Sequence, residues 1–256
     1  MQADNDTAIG GKSDKFPVTR ISAIHSLRNG DEVGREIALN SIIAAYWKPV
    51  YKYVRIKWHK SNEDAKDLVQ GFFANMVEKD FFKSYDPSKA KFRTFLRVCL
   101  DGYIQNHEKS EGRLKRGGDI QKFSLDFVGA EEELNESAPL QVTSPDTIDT
   151  YFKDECVRSV FSLSIESLRA QCQSNGKSVH FRLFELYDLG TGDDGSKPSY
   201  EILANQLAIS VSDVTNYLSY ARREFRSIVL DNLRELTATD EEYRQEALAL
   251  LGIEPK

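Results

Sequence analysis

An all-α fold of two helical domains joined by a flexible acidic linker, the C-terminal domain carrying a helix-turn-helix, is what this sequence predicts. Three observations carry that expectation. Apolar residues recur at three- and four-residue spacing through most of the chain, without the sustained alternation of half-buried strands. Glycine and proline are scarce, 15 and 7 in 256 residues, while 40% of residues are hydrophobic, a balance that suits a helical globular protein. Charge is also segregated. Lys48 to Lys122 holds 17 Lys/Arg against 10 Asp/Glu, whereas Phe123 to Glu155 holds nine acids and one lysine. The net charge of −6 therefore conceals a basic domain beside an acidic segment, and binding responds to the local field rather than the total. Taken singly, either run would also suit a solvated face.

The expected organisation is a flexible tail over 1–15, a helical domain over 16–112, an acidic linker over 113–150, a second helical domain over 151–234 and a helical tail over 235–256. Arg20 to Trp58 is helical by pattern, with Ile37, Ile42, Ile43, Ala44, Tyr46 and Trp47 towards a buried stripe. Pro49 should open a new helix after a bend, since its ring removes a ladder hydrogen bond, and Val50, Tyr53, Val54 and Trp58 would form the inner face. Ser61 and Asp64 fit a capping pattern. The helix they open runs to about Lys79 and buries Ala65, Leu68, Val69, Phe72, Phe73 and Met76. Tyr85 to Ser88 is a turn, and a further helix spans Phe92 to about Glu108. Gly112 to Thr150 has no sustained period and contains Gly117-Gly118, the run Glu131 to Glu133, Pro139 and Pro145. It reads as a linker with little fixed structure, of about 38 residues and a root-mean-square span of roughly 35 Å.

Helical patterning resumes from Tyr151 to about Cys172 and from Val179 to Leu189, followed by the surface loop Gly190 to Gly195. Pro198 to Arg226 then reads as a helix-turn-helix. Pro198 suits a first helical turn, Ala204 is the small residue at the crossing, and Leu203, Leu207, Ile209, Val214 and Tyr217 supply apolar contacts. Ser210 or Ser212 caps the second helix, whose polar side carries Thr215, Asn216, Ser219, Arg222 and Arg223. Such a helix fits a DNA major groove, although an ordinary antiparallel helix pair has the same apolar spacing. The turn position usually held by a residue tolerant of positive φ is Ala208, at a cost of roughly 1 kcal/mol if left-handed. A terminal helix capped by Thr239 or Asp240 carries Leu248, Leu250 and Leu251.

Several chemistries are not expected. No apolar run approaches the roughly 20 residues of a membrane span, and the polar N-terminus is unlike a secretion signal. Cys99, Cys156 and Cys172 are odd in number and far apart, which suits a reducing cytoplasm. There is no nucleotide-binding glycine loop, and His25, His59, His107 and His180 are scattered without metal-ligand spacing. No catalytic residue, metal site or cofactor is expected. Asp64 and Asp67 share an exposed helix face, where contact with a partner protein suits them better than catalysis.

Two separate stretches point to one family. Asp64-Ala-Lys-Asp-Leu-Val-Gln70, followed by Phe72-Phe73 and then Phe92-Arg-Thr-Phe-Leu96, resembles the second conserved region of bacterial RNA polymerase sigma factors. The match is to the short, two-domain extracytoplasmic-function type. The helix-turn-helix looks like that family's fourth region. The resemblance implies a cytoplasmic sigma factor without membrane insertion that binds core RNA polymerase and promoter DNA, as duplex and as unpaired strand. It leaves phosphodiester chemistry to the polymerase and admits an anti-sigma factor as a further partner. It implies polymerase docking through Asp64, Asp67 and Gln70, and downstream promoter contacts through Lys91, Arg93, Phe95, Arg97, Lys109 and Arg113. Upstream contacts fall to Ser212, Thr215, Asn216, Ser219, Arg222 and Arg223. By their own chemistry, rings interleaved with cations suit single-stranded DNA, while Phe92 and Phe95 suit a core at least as well. Lys66 and Gly71 stand where the family motif is usually acidic, and Gly102 where the promoter-facing helix often has Asn. The alternative function is a helix-turn-helix regulator that binds duplex DNA without polymerase.

Overall fold

The computed structural model describes residues 23–79, 81–111, 123–136, 144–190 and 197–253. All regular structure among them is helical. Helix α1 (Ala23–Asn29) leads into α2 (Glu32–Lys57), which starts where the Asp31 carboxylate accepts the Gly34 N–H at 2.8 Å. Pro49 lies inside α2 and does not open a new helix as its sequence context suggested. A proline removes one ladder bond, and here the flanking buried residues Tyr46, Val50, Tyr53 and Val54 hold the helix against its neighbours regardless. Ile37 also departs from expectation, being 63% exposed, whereas Ile42 and Ile43 are buried.

Helix α3 (Asn62–Glu78) is capped by Ser61, whose hydroxyl accepts the Asp64 N–H. Its expected apolar face, Ala65, Leu68, Val69, Phe72, Phe73 and Met76, is buried throughout. Helix α4 (Phe92–Glu111) follows a turn held by the Asp86 carboxylate on the Ser88 N–H and hydroxyl. The two helices approach closely at Gly71, where a Cβ would stand 2.3 Å from the Tyr103 hydroxyl. An acidic side chain at this position would displace Tyr103.

The segment expected to be a flexible linker is helical over Phe127–Glu136 (α5) and docked on α2. The Phe127 ring lies 5.5 Å from Trp47 and 5.3 Å from Tyr51. Glu131 pairs with Arg55 at 2.6 Å, and Glu133 with Lys48 and Lys52 at 2.7 and 2.9 Å. The acidic run that argued for disorder in isolation is neutralised by the basic face of α2. Helix α6 (Pro145–Ser174), with Ser144 as cap, begins several residues before the domain boundary expected at Tyr151.

Helices α7 (Ser178–Phe184), α8 (Tyr200–Leu207), α9 (Val211–Glu235) and α10 (Asp240–Leu251) complete the chain, with a wide turn of π-helix over Glu185–Leu189 after α7. One core runs from α1 through α10 and includes Phe152, Cys156 and Val160 of α6 and Val229 and Leu233 of α9. Two smaller clusters lie beyond it. Leu168 and Cys172 of α6 meet Phe181, Phe184 and Ala221 in one, and Leu183, Leu203, Ala204, Val214 and Leu218 form the other. Helices α6 and α9, roughly 45 and 37 Å long at 1.5 Å per residue, therefore run from the N-terminal core into the helix-turn-helix. The two halves are joined by packed helices rather than by a tether.

At that junction Lys52 is buried with its ammonium 2.8 Å from Glu155, itself buried, on α6. Removing one partner of such a pair strands a charge, at about 3–5 kcal/mol, whereas an apolar replacement of both is far better tolerated. Lys52 keeps Glu133 at 2.9 Å when Glu155 is lost, so Glu155→Ala should lower urea-unfolding stability by less than that full cost, about 1–3 kcal/mol. The double variant Lys52→Met/Glu155→Leu should lose markedly less, and equal losses would show that the pair does not act as a unit.

Ala208 has φ 52° and ψ 46°, and the following Ile209 N–H reaches the Ala204 carbonyl at 3.0 Å. The left-handed position anticipated in the turn is thus filled by a residue with a Cβ. Ala208→Gly should raise stability by about 1 kcal/mol, read as a shift in urea midpoint without change in slope.

Candidate functional site

Three surfaces carry the residues singled out by sequence. On α3, Asp64 and Asp67 are exposed. The Asp64 carboxylate also accepts the Ser61 hydroxyl at 2.7 Å, completing the helix cap. Asp67 makes no ion pair with any described residue. Gln70 is turned inward: its amide nitrogen donates to the Phe123 carbonyl at 2.7 Å and its oxygen accepts the Phe123 N–H at 2.8 Å. Both ends of that side chain are used to seat the chain leading into α5.

On the C-terminal side, α8 and α9 form the helix-turn-helix. Ser199 caps α8, so Pro198 precedes the cap and does not sit in the first turn as expected. Ser210, rather than Ser212, caps α9, with Asp213 returning the hydrogen bond to complete a capping box. That frees Ser212, which is exposed along with Thr215, Asn216 and Ser219. The opposite side of α9 is braced by the His180 ring of α7, stacked on Tyr217 at 3.9 Å between centroids. Arg222 and Arg223 have different surroundings. Arg222 makes a two-pronged bridge to Asp188, both contacts 2.9 Å, tying α9 to the turn after α7. Arg223 has a side chain 70% exposed.

The family model described as ECF sigma factor matches residues 18–231, from before α1 to the later turns of α9. The chain belongs to the ECF sigma factor family. Its role accordingly lies in transcription initiation, with RNA polymerase and promoter DNA as the partners of such factors. Searches of curated proteins and of solved structures find no match. No helix among the described residues of this sigma factor is long and apolar enough to cross a membrane, and no group of three or more His, Cys, Asp or Glu among them is arranged to hold a metal ion.

The third surface, α4, differs most from expectation. Lys91 and Arg93 both contact Glu246 of α10; the two guanidinium nitrogens of Arg93 each reach a different carboxylate oxygen at 2.8 Å. Arg97 meets Asp149 of α6 at 3.0 Å and Asp101 of its own helix at 3.7 Å. Burial pushes the Glu246 carboxyl up, but Arg93 and Lys91 outweigh it and hold the group below the usual glutamate range. Cations expected to face DNA are therefore bonded to carboxylates, and the Arg93 and Arg97 side chains are only 18% exposed. Phe92 is fully buried, while Phe95 is half-buried against the Tyr85 ring at 5.1 Å. Phe92 is thus a core ring, and Phe95 packs on Tyr85 with part of its ring left exposed. Lys109 is exposed, and Arg113 lies outside the described residues. A Cβ at Gly102 would meet nothing within 4 Å, so sterics do not dictate glycine there.

Sequence reasoning missed Glu246, Asp149, Glu131 and Glu133 as partners of the basic face. The available signal was the excess of acids in Phe123 to Glu155, opposite in sign to the segment before it. For Glu246 there was only a tail helix with acids at 242 and 246, one turn apart.

The contrast between the two arginines is testable. Arg222→Ala should cost about 1 kcal/mol of folding stability through the lost Asp188 bridge, its partial exposure limiting the loss. Arg223→Ala should leave stability within about 0.5 kcal/mol and lower the salt slope of duplex binding by about one unit. Urea unfolding and a salt titration of duplex affinity check both, and identical behaviour of the two variants contradicts the division.

Proposed function

We propose that this sigma factor directs core polymerase to a two-part promoter, with each surface given one task. The exposed Asp64–Asp67 face of α3 docks on polymerase. The Ser212, Thr215, Asn216 and Ser219 face of α9 reads the upstream duplex element, with Arg223 on the flanking phosphate. The α4 surface around Lys91, Arg93, Arg97 and Lys109 follows the unpaired downstream strand. The observation that carries this reading is the single family match spanning all three surfaces.

The chemistry of each surface supports its role. Short hydroxyl and amide side chains on the early turns of a helix suit hydrogen bonding to base edges in a major groove. Cations near aromatic rings suit a single strand. Opening the duplex costs a few kcal/mol of unstacking, which base capture at roughly 1–3 kcal/mol per stacked base can offset. Bond making in RNA then belongs to the polymerase.

Run-off transcription with purified core enzyme and a promoter selected from random templates is the decisive experiment. Initiation that depends on this chain supports the reading. Sequence-specific duplex binding with no affinity for core enzyme would instead favour a stand-alone regulator. Asp67→Arg should weaken core binding about ten- to a hundred-fold, the range of about 1.4–3 kcal/mol for charge reversal at a partly desolvated contact. Circular dichroism of the variant should be unchanged, because Asp67 is exposed on α3. Undiminished affinity in a quantitative core-binding assay would remove this face from the interface.

A further inference from the structure

We propose that α10 is an internal competitor for DNA, with Glu246 occupying the position on Lys91 and Arg93 that a phosphate of the unpaired strand takes when α10 is displaced. The inference rests on the reading of α4 as the strand-binding surface. It begins from the shape of the contact. Arg93 offers a planar fork to two oxygens of one anionic group, and Lys91 adds a third donor to one of them. Fork recognition of this kind serves carboxylate and phosphate alike. Exchange of one for the other keeps the charge balance of the basic site.

The placement of α10 suits displacement as a unit. It has its own cap at each end, the Thr239 hydroxyl accepting the Glu242 N–H and Gly252 taking the left-handed position. Only Leu236 to Thr239 joins it to α9. Its apolar hold on the core is modest: Ala247 is buried, Tyr243, Leu250 and Leu251 are partly buried, and Leu248 is 49% exposed. A small cavity remains beneath it, lined by Ala45, Tyr46, Arg93, Cys156, Val160 and Leu250. Glu246 is thus a buried charge whose pairing with α4 ties α10 to the N-terminal core, while Arg234 of α9 holds its first turn through Asp240 at 2.5 Å and the Tyr243 ring. The helix also lies beyond residue 231, where the family match ends.

The experiment uses the full chain and a fluorescent 20-nucleotide oligo-dT, with affinity read by anisotropy at fixed low salt. Glu246→Gln keeps the size and hydrogen-bonding capacity of the side chain but removes its charge, and should tighten oligonucleotide binding about ten-fold. Adding Lys91→Ala and Arg93→Ala to that variant should abolish the gain. Unchanged affinity in Glu246→Gln, or a gain that survives loss of both cations, overturns the proposal. A second measurement needs no substitution. In the wild-type protein, amide exchange over residues 240–251 should accelerate when oligo-dT saturates the chain; unchanged protection of α10 with oligonucleotide bound also overturns it. Run-off transcription by the same variant keeps the two readings apart. Normal core-dependent initiation with unchanged oligo-dT affinity sinks the competitor role and leaves the sigma-factor mechanism standing. Tighter oligo-dT binding without core-dependent initiation supports the competitor role and removes that mechanism.

Discussion

A lysine taken out of water between the two halves of the chain sets the constraint on which the rest of this structure depends. Lys52 is surrounded by the core of α2, and its charge is tolerable there because Glu155 and Glu133 approach within hydrogen-bonding distance. Desolvating an ammonium group costs several kcal/mol unless a well-placed partner and further hydrogen bonds compensate. Glu155 sits on α6 and Glu133 on α5. Satisfying one buried lysine therefore fixes two other elements on α2. Arg55 with Glu131 and Lys48 with Glu133 extend the same seam towards solvent.

From that seam the geometry of the whole molecule follows. With α6 held on α2, its later turns carry Leu168 and Cys172 into the C-terminal cluster, and α9 runs alongside it from Ala221 to Leu233. The exposed face of α9 is then positioned relative to α3 and α4 by two packed helices. A helix pair of this length transmits orientation, where a chain of flexible residues would transmit only a maximum distance.

The same electrostatics explains how an acidic protein carries a basic face within its fold. The cations of α2 and α4 are matched by carboxylates of α5, α6 and α10, so the positive field is largely cancelled inside the folded chain. Outward-facing polarity is left to α9 and to the acidic face of α3. An ion-paired basic face keeps the field at its surface low.

How much of this was legible in the sequence depends on the range of the interaction concerned. Helix α3 was legible almost residue by residue, because its cap and its three- and four-residue apolar spacing are local and agree with each other. The helix-turn-helix was legible for the same reason, down to the left-handed turn at Ala208. The exposed side chains of α9 followed from helical periodicity once the cap was placed. Pro49 and Phe127–Glu136 were misread because local propensity was asked to decide what packing decides: buried neighbours carried α2 through the proline, and the basic face of α2 neutralised the acids that argued against α5. The state of Lys91, Arg93 and Arg97 lay furthest from reach. Apart from Asp101, one turn from Arg97, the acids that pair with them stand some 50 to 155 residues away along the chain, and periodicity says which face a residue occupies without saying what stands opposite. The sequence by itself determined the helices, their caps and their apolar faces, since those depend on neighbours within a few turns. Only the tertiary structure decided which charges meet, because a carboxylate selects its cation by proximity in space.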